Sequence, residues 1–172
     1  RRMAGRWRID ILERVQPAAV ESRIKAELPG HEGVVLSGQA DLLALTYEGD
    51  GVLTLRDLKT GKRKMPAIKH APQLGSYSLL WRTQGHEPQH ASIDFLQRVP
   101  STKEQPAVDE QPLDIYRCEG MAYAVIDDMA SKARRLSNTG DPSHILTNPG
   151  SMLCSAKFCR AHGLPICPAT RD

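Results

Sequence analysis

Val52-Leu53-Thr54-Leu55-Arg56-Asp57-Leu58-Lys59-Thr60-Gly61 reads as a strand that runs into charge. Val52, Leu53, Leu55 and Leu58 suit a pleated, part-buried element. Gly61 and the basic run Lys62, Arg63, Lys64 mark an exposed loop after it. Asp57 and Lys59 are two apart at the end of that strand, so both point to one face. The segment before it, Val34 to Tyr47, is rich in Val, Leu and Ala, with Ser37, Gln39 and Asp41 as its polar exceptions. Tyr47-Glu48-Gly49-Asp50-Gly51 supplies hairpin-turn chemistry between the two segments. An antiparallel pair joined there brings Asp41 beside Asp57.

Helices and strands alternate on either side of this pair. Met3, Trp7 and Ile11 recur at helical spacing, with Leu12 and Val15 widening the stripe, so 3–15 reads as a helix closed by Pro17. Residues 19–28 suggest a strand before the turn Pro29-Gly30. A second helix is expected from His70 to Gln84, with Pro72 in its first turn, Leu74 and Trp81 on its buried stripe and Gly85 at its stop. Ala91 to Leu96 reads as a strand, 99–111 as a loop with two prolines, and Leu113, Ile115 and Arg117 as a short last strand. Met121, Val125, Met129, Ala133 and Leu136 share one face of a helix over 119–136. The order implies a small α/β domain over 1–136, followed by an irregular cysteine-bearing tail over 137–172 packed on that core.

At 172 residues, 40% hydrophobic and 25% charged, the chain fits one soluble globular domain. Disordered, collagen-like and coiled-coil compositions are excluded. No apolar run approaches the roughly 20 residues of a membrane span. A net charge of +3 does not by itself identify a nucleic-acid binder. The choice of 15 Arg against 8 Lys favours the side chain that forks onto phosphate. Nothing signals export, so a reducing, cytoplasmic compartment is expected. The chain opens on Arg1 rather than Met, which suggests a processed, trimmed or partly ordered N-terminus.

The chemistry gathers around Asp41, Asp57 and Lys59. An isolated Asp-x-Lys carries little weight, since about half of one is expected by chance in a chain of this composition. Context adds the weight. Asp41 interrupts an apolar strand, where a lone carboxylate is costly unless paired or metal-bound. Two neighbouring carboxylates repel unless a divalent cation neutralises them. Mg²⁺ accepts one or two carboxylates and keeps several waters, and Lys59 is placed to orient or deprotonate one of them. These are the parts of metal-assisted phosphodiester hydrolysis. Gln73 and Tyr77 sit one turn apart on the following helix, facing either the cleft or the sheet. Lys62, Arg63 and Lys64 suit phosphate contacts at the cleft mouth, or form an ordinary solvated loop.

The ordered set Gly38-Gln39-Ala40-Asp41, then Asp57-Leu58-Lys59-Thr60-Gly61, then Gln73-Leu74-Gly75-Ser76-Tyr77 resembles the PD-(D/E)xK nuclease superfamily, and more narrowly its RecB-like, phage-type exonuclease branch. The resemblance covers roughly residues 20–97. It implies a restriction-endonuclease-like core, a central mixed β-sheet flanked by helices, that cuts DNA with Mg²⁺ or Mn²⁺. Carried over by position, it makes Asp41 and Asp57 metal ligands, Lys59 the catalytic lysine and the Leu58 backbone carbonyl a further ligand. Gln73 and Tyr77 become residues that contact DNA or organise the site. Such nucleases usually add an acidic or His side chain from an N-terminal helix. Glu13 is the first candidate here and Glu21 the next.

Cys154, Cys159 and Cys167 crowd into the tail, while Cys118 stands apart. Some resembling nucleases staple their tail with a 4Fe–4S cluster held by three tail cysteines and one upstream, a place only Cys118 could take. Cys154, Cys159, His162 and Cys167 also form a local set suited to tetrahedral Zn²⁺. Three reduced cysteines without metal remain the third option, and Cys118 alone suits a buried core position.

The leading expectation is a metal-dependent DNA exonuclease of the phage or prophage recombination type, with DNA as substrate and a single-strand annealing or recombination protein as a further partner. The alternatives are a catalytically inactive DNA-binding or assembly module of the same fold, and a zinc- or iron–sulfur-stabilised accessory protein.

Overall fold

A computed structural model of the chain describes residues 2–46 and 51–141. The chain divides into two compact units, 1–123 and 124–172. The first contains helix α1 (Arg2–Asp10), strands β1 (Val15–Glu27), β2 (Val35–Thr46) and β3 (Leu53–Gly61), helix α2 (Ala71–Thr83), and strands β4 (His90–Gln97) and β5 (Asp109–Asp114). Helix α3 (Ile115–Thr139) starts in the first unit and continues into the second.

The five strands form one mixed sheet in the order β1-β2-β3-β4-β5. All neighbours pair antiparallel except β3 and β4, which run parallel because α2 carries the chain back between them. The two sheet faces follow the period-2 alternation of the strands. Leu43, Leu55, Ala91 and Ile93 pack beneath Leu74 and Trp81 of α2, together with Ile115 and Cys118. Leu42 and Ala44 point the other way and pack with Ile11, Val15, Trp7 and Val108. Each fully buried Leu or Ile contributes about 1.5–3 kcal/mol. The fold is α/β, a five-stranded mixed sheet with helices, consistent with a restriction-endonuclease-like core. Among the described residues no helix is long and apolar enough to cross a membrane.

Three sequence expectations shift. The N-terminal helix ends at Asp10, and a single 3-10 turn, Leu12–Arg14, leads into β1. Val15, read as the end of a helical stripe, is the first strand residue and faces Thr46. The expected loop over 99–111 closes earlier, because Asp109 already pairs with Phe95. Ile115 and Arg117 belong to α3 rather than to a strand, since the Asp114 carboxylate accepts the Arg117 backbone N–H at 2.6 Å and starts the helix.

Two helices meet closely at Gly75. A Cβ there would stand 2.0 Å from the Cys118 carbonyl oxygen, so only glycine lets α2 approach the start of α3. Glu119 ties the same junction, accepting from Ser78 Oγ at 2.5 Å and from Arg82 Nε at 2.8 Å.

Candidate active site

Asp41, Asp57 and Lys59 converge on the sheet face covered by α2. The ladder pairs Leu42 with Arg56, so the next step sets Asp41 opposite Asp57. Asp41 Oδ2 accepts the Leu58 backbone N–H at 2.8 Å, which fixes the first carboxylate against the strand that carries the second. Asp57 is 2% exposed. Its Oδ2 lies 2.5 Å from Lys59 Nζ as an ion pair. Among the described residues Lys59 is the polar partner of this buried oxygen. Its Oδ1 faces Gln73 Nε2 at 3.4 Å, and the same amide donates to the Tyr77 hydroxyl at 2.8 Å. Gln73 and Tyr77 thus face the carboxylates, one helical turn apart.

Burial pushes the Asp57 carboxyl above its ordinary value. Lys59 opposes that through its contact and charge, the Asp41 charge adds to it, and His70 opposes it. Desolvation dominates. A buried carboxylate with a like charge beside it describes a place that a hard divalent cation would satisfy. The two carboxylates offer oxygen donors, as Mg²⁺ or Mn²⁺ prefers.

The sequence matches the PD-(D/E)XK nuclease superfamily over residues 1–167. The chain belongs to that superfamily. The family is named for nucleases, which are phosphodiester hydrolases. Among solved structures, a protein from Eubacterium rectale provisionally named an exonuclease is similar at 14% identity and a TM-score of 0.53. The match covers 79% of this chain and 52% of that one, so the chain spans about half the length of that protein. At this identity the likeness speaks for the fold alone. A second structure, SSO0001, is 19% identical over 63% of this chain and 49% of its own, with a TM-score of 0.36. Compared with curated proteins, the chain has no match.

Within this superfamily fold, Gly38 has a local reason. A Cβ on Gly38 would meet the Tyr77 ring at 2.8 Å, so the glycine three residues before Asp41 makes room for the aromatic ring that holds Gln73. The sequence carries that signal in its Gly-x-x-Asp spacing but does not name the partner. His70 lies close enough to act on Asp57 and lines a cavity with Lys59, which its place at a helix start does not reveal in the sequence.

The basic run after β3 is exposed, and Lys64 is paired with Asp109 at 2.6 Å. Glu13 is exposed in the 3-10 turn. Glu21 holds the register position opposite Asp41, between the Val20–Leu42 and Ser22–Ala40 pairs, with a left-handed φ of 46°. Neither completes a cluster: among the described residues no three His, Cys, Asp or Glu side chains gather as a metal-binding group. The expectation that Glu13 joins the pair therefore finds no geometric support. Its turn leads into the first residues of β1, and Ile11 and Val15 beside it pack into the second core cluster, on the sheet face away from Asp57.

Cys118 is buried among core residues, and burial pushes its thiol up to about 11, so it stays protonated. Cys154, Cys159, His162 and Cys167 lie outside the described residues.

Proposed function

We propose that this chain is a metal-dependent deoxyribonuclease, acting as an exonuclease on linear DNA in recombination or repair. The observation that carries the reading is the buried Asp57 carboxylate, close enough to Asp41 to feel its charge and 2.5 Å from Lys59 Nζ. Asp41, Asp57 and the Leu58 carbonyl would hold Mg²⁺ or Mn²⁺. Such a cation, when bound, supplies neutralisation of the carboxylate pair and Lewis-acid polarisation of a phosphoryl oxygen.

The chain's own residues supply the remainder. Lys59 holds a water by one ammonium N–H and keeps it near the phosphorus, while its charge offsets the approaching phosphate. Hydrolysis adds the water oxygen to phosphorus, breaks one ester P–O bond and passes the water proton to the departing alkoxide. Gln73, tethered to the Tyr77 hydroxyl, restrains Asp57 Oδ1 so that Oδ2 faces the reaction. The Leu58 N–H does the same for Asp41. Lys62 and Arg63 contact backbone phosphates without reading sequence, while Lys64 is held by Asp109. The exonuclease assignment borrows the activity named for the Eubacterium rectale protein.

The test is cleavage of linear duplex and single-stranded DNA with Mg²⁺, Mn²⁺ or chelator, by wild type, Asp57→Ala and Lys59→Ala. Metal-dependent cleavage lost in both variants supports the reading. Cleavage equal in all three proteins removes it. Tight DNA binding without cleavage replaces it with a binding module.

A further inference from the structure

A cavity of about 120 Å³ opens directly beside Lys59. Lys59, Arg63 and His70 line it with the apolar side chains of Ile93 and Phe95, and no carboxylate does. Arg63 is exposed and makes no hydrogen bond or ion pair among the described residues, unlike Lys64, which is committed to Asp109. A second cavity of about 410 Å³ shares Arg63 and Phe95 with the first and adds Lys62, Gln97 and the Lys64–Asp109 ion pair. The two cavities thus adjoin at the loop after β3.

This arrangement suits one kind of ligand. Arg63 and His70, beside a Lys59 already ion-paired with Asp57, suit an anion of phosphate size. Lys59 Nζ lies 2.5 Å from Asp57 Oδ2, so the cavity it lines adjoins the carboxylate site. Arg63 can fork onto two phosphate oxygens, and His70 can donate to a third.

We propose that Arg63 and His70, with Lys59 as the wall shared with the carboxylate site, form a subsite for the phosphate next to the scissile one. The inference rests on the nuclease reading and names a part of the substrate that reading does not place. The phosphate is either an internal linkage or a terminal monophosphate, since the charge and oxygen geometry are the same. The larger cavity then carries the next nucleotide past Lys62.

The test uses the full chain and short DNA duplexes in which one linkage at a time is a neutral methylphosphonate, with matched duplexes that keep or lack a terminal phosphate. Binding is followed by fluorescence anisotropy without divalent ions, so it does not depend on hydrolysis. Cleavage is then followed with Mn²⁺. In wild type, neutralising one position should weaken binding about tenfold, the effect of losing one charge-assisted contact. Arg63→Ala and His70→Ala should start weaker and lose nothing further at that position, while Arg63→Lys retains part of the effect. If only removal of the terminal phosphate matters, the subsite grips a chain end. If an internal linkage matters, it grips the continuous strand. The proposal is overturned if no position stands out in wild type, or if both alanine variants keep the full sensitivity. The expected binding pattern without metal-dependent cleavage sinks the nuclease reading alone. Asp57-dependent cleavage without the pattern sinks the subsite alone.

Discussion

The Asp41 carboxylate accepts the backbone N–H of Leu58 at 2.8 Å, across the β2–β3 pair. One hydrogen bond therefore fixes the first acid of the site to the peptide that follows the second. Asp41→Asn can keep an oxygen in that position but loses the charge. It should fold with a melting temperature within a few degrees of wild type and lose cleavage by about a hundredfold or more. Asp41→Ala should lose both the bond and the activity. Circular dichroism melts beside single-turnover cleavage check this.

Asp57 predicts a pH-dependent stability with a definite sign. Its folded pKa is raised, so ionisation of this group costs stability. The cost is absent below the ordinary value of 3.8, grows as pH rises above it and is complete above the raised folded value. Asp57→Asn removes it. The variant should be more stable than wild type at pH 7, and the gap should close as pH falls below 4. Mn²⁺ should raise the wild-type melting temperature and leave Asp57→Asn unchanged. Scanning calorimetry with and without Mn²⁺ reads both effects.

Gly38 and Gly75 should fail differently when changed to alanine. A Cβ on Gly38 meets the edge of the Tyr77 ring at 2.8 Å, and a side chain gives way more readily than backbone. Gly38→Ala should cost about 1–3 kcal/mol and lower cleavage about tenfold, because Tyr77 carries Gln73. A Cβ on Gly75 meets the Cys118 carbonyl oxygen at 2.0 Å, which is backbone. Gly75→Ala should push the helices apart and cost more. Urea titrations of both variants give the order.

Behind the site, on the other sheet face, Asp94 is fully buried. It accepts from Arg56 Nη1 at 2.9 Å, Ser92 Oγ at 3.1 Å and Trp7 Nε1 at 3.1 Å. Arg56 also reaches Glu110 at 3.0 Å. Asp94→Ala leaves the buried Arg56 with Glu110 as its one remaining acid and should cost about 3 kcal/mol. Trp7→Phe removes one neutral donor and should cost about 1 kcal/mol. Denaturant midpoints measure both.

The central strands were legible because their alternation and turn residues agree. Asp41 and Asp57 could be paired from sequence since one hairpin fixes their register. The ends were less legible. Val15 continues the helical spacing of Met3, Trp7 and Ile11, yet it joins the ladder opposite Thr46, and tertiary pairing overrides the local period. Ile115 alternates with Leu113 as a strand would, and only the cap from Asp114 to the Arg117 N–H betrays the helix. Pro112 sits on the edge strand β5, where a missing N–H is tolerated. At the site, the acid-acid-lysine set could be read from motif spacing. The bearing of Gly38 on Tyr77 and of His70 on Asp57 could not, because these contacts depend on where α2 settles over the sheet. The Arg56–Asp94 pair was invisible for the same reason, being made between strands 38 residues apart in sequence.

The most direct measurement is the single-turnover cleavage rate of a linear DNA duplex with Mn²⁺ for wild type, Asp57→Asn, Lys59→Ala and the double variant. One shared centre predicts that each single change lowers the rate by about a thousandfold, and that the double variant falls no further, since residues acting as a unit are not additive. Single variants that cleave at the wild-type rate, or a double variant that loses the product of two independent effects, would contradict it.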